Sequence, residues 1–268
     1  MDQNDVFRNA AFGVSDRALV DCQKEAVGCI MVHRQNGMTA STLHIGIYSI
    51  PEAARLTGLG ESRVRRWLTG YSYIAAGAKR KAQPVWSGQL APVRGRRAVS
   101  FRDLIEMKFV DAFLRAGVSW KTIRDVQELA RRQFHFDHPF STNRFRNDGR
   151  HLVMTVLQGD HQASLFDLST RQQSFLEAAD PFREELEMNE HDEVCRWWPM
   201  GRQRYVVLDP TRMAGRPIAA RSGVPVEVLE GAAAAGLAAD AIAATYECQI
   251  EEVTDALAFA AAPAEATP

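Results

Sequence analysis

Arg63, Arg65 and Arg66 stand almost side by side, interleaved with the apolar Val64 and Trp67. At about 100° per residue on a helix, Val64, Trp67 and Leu68 share one face, and Ser62, Arg63, Arg65 and Arg66 are left on the other. A guanidinium pairs bidentately with guanine O6 and N7 or with a phosphate, so the pattern points to a helix that enters the major groove of DNA. A solvated basic face on an ordinary bundle helix is the competing reading. Tyr71 follows directly, and beyond it come two basic clusters, Lys79-Arg80-Lys81 and Arg94-Gly95-Arg96-Arg97. Cations on such a segment add affinity by releasing counterions from the phosphate backbone, without reading sequence. Here the plain alternative is a solvated basic loop.

Other groupings are weaker. His135 and His138 with Asp137 hold too few ligands for a metal site and are followed by Pro139. The acidic run through Glu184, Glu185, Glu187, Glu190, Asp192 and Glu193 reads as a solvated linker helix rather than paired catalytic carboxylates. Trp197-Trp198 is a core or interface anchor, with the interface favoured because a charged linker lies alongside. Cys22, Cys29, Cys195 and Cys248 show no CxxC spacing and read as free thiols in a reducing cytoplasm. No Gly-rich phosphate loop, nucleophile elbow or metal-binding helix motif occurs, so the expectation is a protein that binds rather than catalyses, without a metal or cofactor.

The elements that must position the arginines are marked by their caps. Ser49-Ile50-Pro51-Glu52 fits a capping box with proline in the first turn, and Ala53, Ala54 and Leu56 continue a short helix to Gly58. Leu59-Gly60 turns the chain, and Glu61-Ser62 opens the arginine helix, which Gly70 ends. Two short helices across a tight glycine turn, from about Ser49 to Leu68, form a helix-turn-helix. Residues 71–99, with Gly77, Pro84, Gly88, Pro92 and Gly95, read as a loop or wing, with Val85-Trp86 and Ala98-Val99 as short strand-like pieces. Ser100 and Ser119 cap two further helices, the first ending at Gly117. Arg150–Phe175 reads as a β-hairpin and Val206–Leu208 as a short strand. Helices are expected over Pro225–Ala235, Ala239–Tyr246 and Ile250–Phe259.

Charge separates these elements into two halves. Residues 46–150 hold 20 Lys and Arg against 9 Asp and Glu, whereas residues 151–268 hold 8 against 19, within a chain of net charge −1. One half suits a polyanion and the other a different partner. The expected organisation is a disordered tail (1–45), a DNA-binding domain (46–150), a β-hairpin and acidic linker (151–203), a small helical domain (204–260) and a disordered tail (261–268). Organised sequence begins only near Ser49, so Met38 is an alternative start. The fold class is mainly α with a small β-hairpin, α+β, and no apolar run is long enough to span a membrane.

Ile47-Tyr-Ser-Ile-Pro-Glu-Ala-Ala-Arg-Leu-Thr-Gly58 and Arg63-Val-Arg-Arg-Trp67 resemble the helix-turn-helix of MerR-type regulators. The cysteines and long coiled-coil helix of the metal-sensing members are missing, so metal sensing is not implied. Val99–Ile105, Phe113–Val118, His138-Pro-Phe140 and Phe145–Arg150 resemble the DNA-binding domain of VapB-like antitoxins. Val206-Val-Leu-Asp-Pro210, Gly215-Arg-Pro-Ile218, Ser222–Val226, Ile242, Tyr246 and Glu252-Val253 resemble the domain of unknown function 433, a helical module similar to antitoxins paired with PIN-type ribonucleases. The implied protein is a homodimeric antitoxin that binds double-stranded operator DNA through a MerR-like winged helix-turn-helix and neutralises a PIN-like ribonuclease toxin. A stand-alone regulator whose C-terminal domain oligomerises or senses a ligand is the alternative. Candidate partner contacts are Trp197, Trp198, Arg212, Arg216 and Arg221, although the arginines would equally cap the Pro-rich turn.

Overall fold

The capping box expected at Ser49 forms: Ser49 N–H donates to the Glu52 carboxylate at 2.7 Å, and Glu52 N–H donates to Ser49 Oγ at 3.3 Å. Helix α1 (Ile50–Thr57) follows and ends on Gly58, whose φ of 73° is left-handed. The computed structural model describes residues 44–262 apart from 76, 87, 93–95, 136, 143–144, 146–152, 154–176 and 178–179. The described residues all fall within one compact unit, Thr42–Pro268. Helix α2 (Glu61–Thr69) buries Val64, Trp67 and Leu68, the face that helical periodicity selects.

Strands β1 (Tyr71–Ala75) and β2 (Ala78–Ala82) then pair as an antiparallel hairpin. Within the expected loop or wing the strands thus lie at 71–75 and 78–82, not at Val85-Trp86 and Ala98-Val99. Lys79-Arg80-Lys81 lies on a strand, Trp86 is a core residue, and Val99 makes only an isolated bridge to Tyr48. Helix α3 (Phe101–Arg115) begins with a second capping box, Ser100 with Asp103, and α4 (Trp120–Phe134) is capped by Ser119.

The acidic segment departs from its reading as a linker helix. A short helix α5 (Asp180–Glu184) gives way to β3 (Leu186–Met188) and β4 (Val194–Trp197), which join β5 (Val206–Leu208) and β6 (Pro217–Ala219) in an antiparallel sheet of order β3-β4-β5-β6. Leu186, Val194 and Trp197 are buried, so the segment carries part of the core despite its charge. The hairpin expected over Arg150–Phe175 lies outside the described residues, Val153 excepted. Helices α6 (Val226–Ala234), α7 (Ala239–Thr245) and α8 (Ile250–Ala261) end within a few residues of the expected bounds.

One apolar cluster runs from Tyr48 through α2, α3 and α4 to Phe182, Trp197 and Leu208, and a second gathers Val206, Ala219, Leu229, Ile242 and Val253. Strand β5, buried along its length, contributes to both. The two halves are also joined by backbone: Ile47 N–H donates to Ala214 O at 2.9 Å, and Tyr48 Oη donates to Gly215 O at 2.6 Å.

Helix α3 carries carboxylates on its buried side. Asp103 accepts from Ser100 N–H at 2.9 Å, Trp86 Nε1 at 2.7 Å and His138 Nε2 at 2.8 Å. Burial pushes its carboxyl up, but the His138 and Ser100 hydrogen bonds and the His138 charge outweigh that and hold it below the usual range. Glu106 differs: one oxygen accepts from Ser141 N–H at 3.0 Å and the other is buried with no partner. Its pKa is raised well above the glutamate value, mainly by burial.

A raised folded-state pKa means that Glu106 keeps its proton in the folded chain after the unfolded chain has lost it. Its favourable contribution is complete below the ordinary glutamate range and fades as pH rises through the raised value. Glu106→Gln preserves the neutral shape and the oxygen facing Ser141. Urea unfolding should find it level with the natural chain at about pH 4 and increasingly more stable above that, by at most ~1.4 kcal/mol per pH unit. A pH-independent difference between the two would show that Glu106 ionisation is not the cause.

Candidate nucleic-acid interface

Within α2 the capless Gly60 start and the Gly70 stop fix nine residues, whose polar side carries Ser62, Arg65 and Arg66 exposed. Arg66 Nε donates to Ser62 O at 3.2 Å, and its guanidinium lies 5.9 Å from the centre of the Tyr71 ring. Arg63 does not stand free on this face. It is half-buried and lies 3.5 Å from Asp111 of α3, which Arg115 also engages at 2.7 Å.

Between α2, the hairpin and α4 the chain forms an open cleft of about 800 Å³. Arg63, Arg66, Tyr71, Tyr73 and Lys81 lie along one side, and Arg115, Trp120 and Arg124 along the other. Trp120 meets Trp67 edge-on at 5.5 Å, and the Arg124 guanidinium lies 6.0 Å from the Trp120 ring. The cleft therefore combines four arginines and a lysine with three exposed aromatic rings. Such a surface offers charge to a phosphodiester and apolar area to sugars and bases. Lys79 and Arg80 are exposed on β2, and Arg96 and Arg97 are exposed beyond it; none of the four lines the cleft. Arg94 lies outside the described residues.

Sequence reading overlooked Tyr73, Arg115, Trp120 and Arg124. Tyr73 was accessible from the alternation Tyr71-Ser72-Tyr73, which puts both rings on one face of a strand. Arg115, Trp120 and Arg124 sit on helices whose periodicity says nothing of α2; packing of Trp120 on Trp67, the Asp111 shared by Arg63 and Arg115, and the bond from Arg124 to Gln83 O bring them there.

The candidate partner contacts fare differently. Trp197 is 2% exposed, and its indole donates to Glu185 at 2.8 Å, so it is a core residue and not a contact surface. Trp198 is half-buried and donates to Glu187 at 3.1 Å. Arg212 donates to Ala220 O at 2.9 Å beneath Gly223, Arg216 pairs with Glu227, and Arg221 bonds Gln249 with its guanidinium 4.7 Å from the Tyr205 ring. All three arginines thus make contacts within their own module.

That module is organised by buried carboxylates. Glu252, 1% exposed, accepts from Arg221 N–H at 2.8 Å, Ser222 N–H at 3.0 Å and Gln249 N–H at 3.2 Å, which binds the turn after β6 to the start of α8. Asp209 accepts from Thr211 N–H and from Arg196, each at 2.9 Å. Burial pushes Asp209 up, yet these donors hold it below the usual aspartate range. Among the described residues no group of three or more His, Cys, Asp or Glu is placed to hold a metal. Cys195 and Cys248 are free. No helix is long and apolar enough among the described residues to cross a membrane.

Fold and site together define a mixed α+β protein with eight helices and two small antiparallel sheets among its described residues, in which a basic helix and hairpin precede a carboxylate-braced helical module. Comparison with known proteins places it more narrowly. Residues 206–260, from β5 to α8, match the family described as protein of unknown function (DUF433). Over 224 residues the chain is 25% identical to "Putative antitoxin VapB45" of Mycobacterium tuberculosis, a match covering 80% of this chain and 93% of that one. A crystal structure of Rv2018 from Mycobacterium tuberculosis shares the fold, with a TM-score of 0.63 at 20% identity over 80% of this chain and 98% of its own. The chain is thus antitoxin-like along most of its length.

Proposed function

We propose that the protein is the antitoxin of a toxin–antitoxin pair, a binding protein rather than an enzyme. It binds its own operator DNA as a homodimer and neutralises a PIN-type ribonuclease. The observation that carries this reading is the likeness to an antitoxin across 80% of the chain, which includes both the basic and the acidic halves. The DNA-binding part is supported by Ser62, Arg65 and Arg66 standing exposed on α2 next to a cation-lined cleft. The toxin part is supported by charge. A ribonuclease that grips RNA needs a basic groove, and an acidic partner is complementary to it. Glu230, Asp240, Glu247 and Glu251 are the exposed carboxylates of the helical module available for that role.

Arg65→Ala/Arg66→Ala should lower affinity for the protein's own promoter by about a hundredfold and reduce the salt dependence by about two phosphate contacts, read by gel shift over a salt series. Both side chains are exposed, so thermal unfolding should move little. Arg63→Ala is a different case, because it also removes one of the two cations beside the buried Asp111 and should lower stability. Unchanged DNA affinity in the double variant would refute α2 as the reading helix. The toxin half is tested by co-expression with the product of the adjacent gene, and failure of the two to co-purify would sink it.

A further inference from the structure

Arg124, Gln127, Glu128 and Arg131 recur along α4 at three- and four-residue steps, which sets them on one face of the helix. That face and the segment Pro84-Val85-Trp86 line a second open cleft, of about 440 Å³, which Asp137 completes. The segment is fixed in place: Val85 N–H donates to Trp67 O at 2.9 Å and Trp86 Nε1 to Asp103 at 2.7 Å. Arg124 ties α4 to it by donating to Gln83 O at 3.1 Å. With its N–H spent on Asp103, Trp86 offers the cleft apolar surface only, and Pro84 and Val85 extend that wall.

Gln127 is the anomaly in this lining. It is 5% exposed, and its Nε2 is buried with no hydrogen-bond partner. A buried amide left unpaired destabilises the fold, and an apolar side chain of similar size would fill the position without that cost. A ligand that pairs with the amide offsets it. Rotation about the last side-chain torsion turns either the NH2 or the oxygen of the amide toward the cleft, so it suits an edge that carries a donor beside an acceptor. The rest of the lining narrows the choice. The apolar wall suits a flat ring. Two arginines stand against two carboxylates, Glu128 and Asp137, so the lining carries no excess charge to draw in a polyphosphate. Carboxylates accept from vicinal hydroxyls, and a guanidinium can pair with a single phosphate.

From this we infer that the cleft between Pro84-Val85-Trp86 and α4 binds a purine ribonucleoside or its monophosphate. The base edge lies on the Gln127 amide, its ring against the apolar wall, and the ribose hydroxyls on Glu128 and Asp137. A glutamine amide is a bidentate match for adenine N6 and N7, so adenine is the favoured base. Arg124 and Val85 line this cleft as well as the one beside α2, yet the site stands independently of the DNA-binding reading.

The test is titration calorimetry of the full chain, free of DNA, with adenosine, adenosine 5′-monophosphate and 2′-deoxyadenosine. Adenosine and its monophosphate should bind, and 2′-deoxyadenosine about tenfold more weakly for want of one hydroxyl. Gln127→Leu should weaken adenosine binding by about tenfold or more, and yet unfold at no lower a temperature than the natural chain, because the unpaired amide is gone. Gln127→Met, unbranched like glutamine, makes the same comparison should the leucine not fit. A folded Gln127 variant that binds adenosine as well as the natural chain overturns the site, as does a natural chain that takes up none of the three compounds. Equal binding of adenosine and its 2′-deoxy form overturns the ribonucleoside assignment.

Discussion

Gly70→Ala should separate the hairpin from α2 while sparing most of the core, and under the proposed function it should also lower affinity for DNA. Gly70 ends α2 at φ 68° and ψ −177°, a backbone state that is essentially closed to residues with a Cβ. A Cβ added there would stand 2.2 Å from the carbonyl oxygen of Ala82 and 3.1 Å from both Gln83 C and Pro84 N. All three are backbone atoms, so no side-chain rotation relieves the contact. Strain and overlap together amount to about 3–5 kcal/mol. Where the cost falls depends on what can move. The residues after the hairpin are anchored, since Val85 N–H donates to Trp67 O at 2.9 Å and Trp86 is tied to Asp103. The hairpin is exposed along both strands and has little packing to lose. It is the part that gives way. Hydrogen exchange should therefore show the β1 and β2 amides losing protection while those of α3 keep theirs, with a drop in DNA affinity of tenfold or more. Retained hairpin protection would mean that the α2–β1 junction is less rigid than its geometry requires.

The same junction marks where sequence reading stopped short. Capping boxes at Ser49 and Ser100 are local devices, complete within four residues, and both form as expected. The C-terminal helices were legible for the same reason, through periodic apolar positions bounded by turns. Strands β1 and β2 were not, because neither face is buried and the alternation Tyr71-Ser72-Tyr73 is too short to mark a strand by itself. Strands β3 and β4 were hidden in another way. They use charged cross-strand pairs, with Arg196 between Glu187 and Asp209 at 2.9 Å each, where an ordinary strand would place apolar residues. Tertiary partners decided the rest. Arg63 sits correctly on the polar side of α2 by periodicity, yet Asp111 holds it. Trp197 stands in an acidic stretch, yet the indole is sunk in the core because Glu185 satisfies its N–H.

Gly215→Ala should be the most disruptive single methyl group in the join between the two halves, and Tyr48→Phe should partly undo the damage. The turn at Met213, Ala214 and Gly215 runs through three successive positive φ values, 47°, 54° and 84°. A left-handed residue with a Cβ costs roughly 1–2 kcal/mol, so two of the three positions already bear that strain and a third would be added. The added Cβ would also lie 2.4 Å from Tyr48 Oη. Tyr48 is only 1% exposed and cannot swing away. Burial also pushes its phenol well above the usual range, so it remains a proton donor to Gly215 O. Gly215→Ala alone should therefore cost about 4 kcal/mol, and Tyr48→Phe alone about 1–2 kcal/mol for the carbonyl left unpaired. In the double variant the hydroxyl that collides is gone, and the contacts left are the Tyr48 ring carbon and Gly46 Cα, each at 3.1 Å, which a shift of a few tenths of an ångström accommodates. Its cost should fall below the sum of the two single changes by about 1–2 kcal/mol in urea unfolding, the mark of a direct contact. Strict additivity would mean that the Tyr48 hydroxyl does not hold this turn. The join would then depend on the backbone bond from Ile47 to Ala214 and on packing alone.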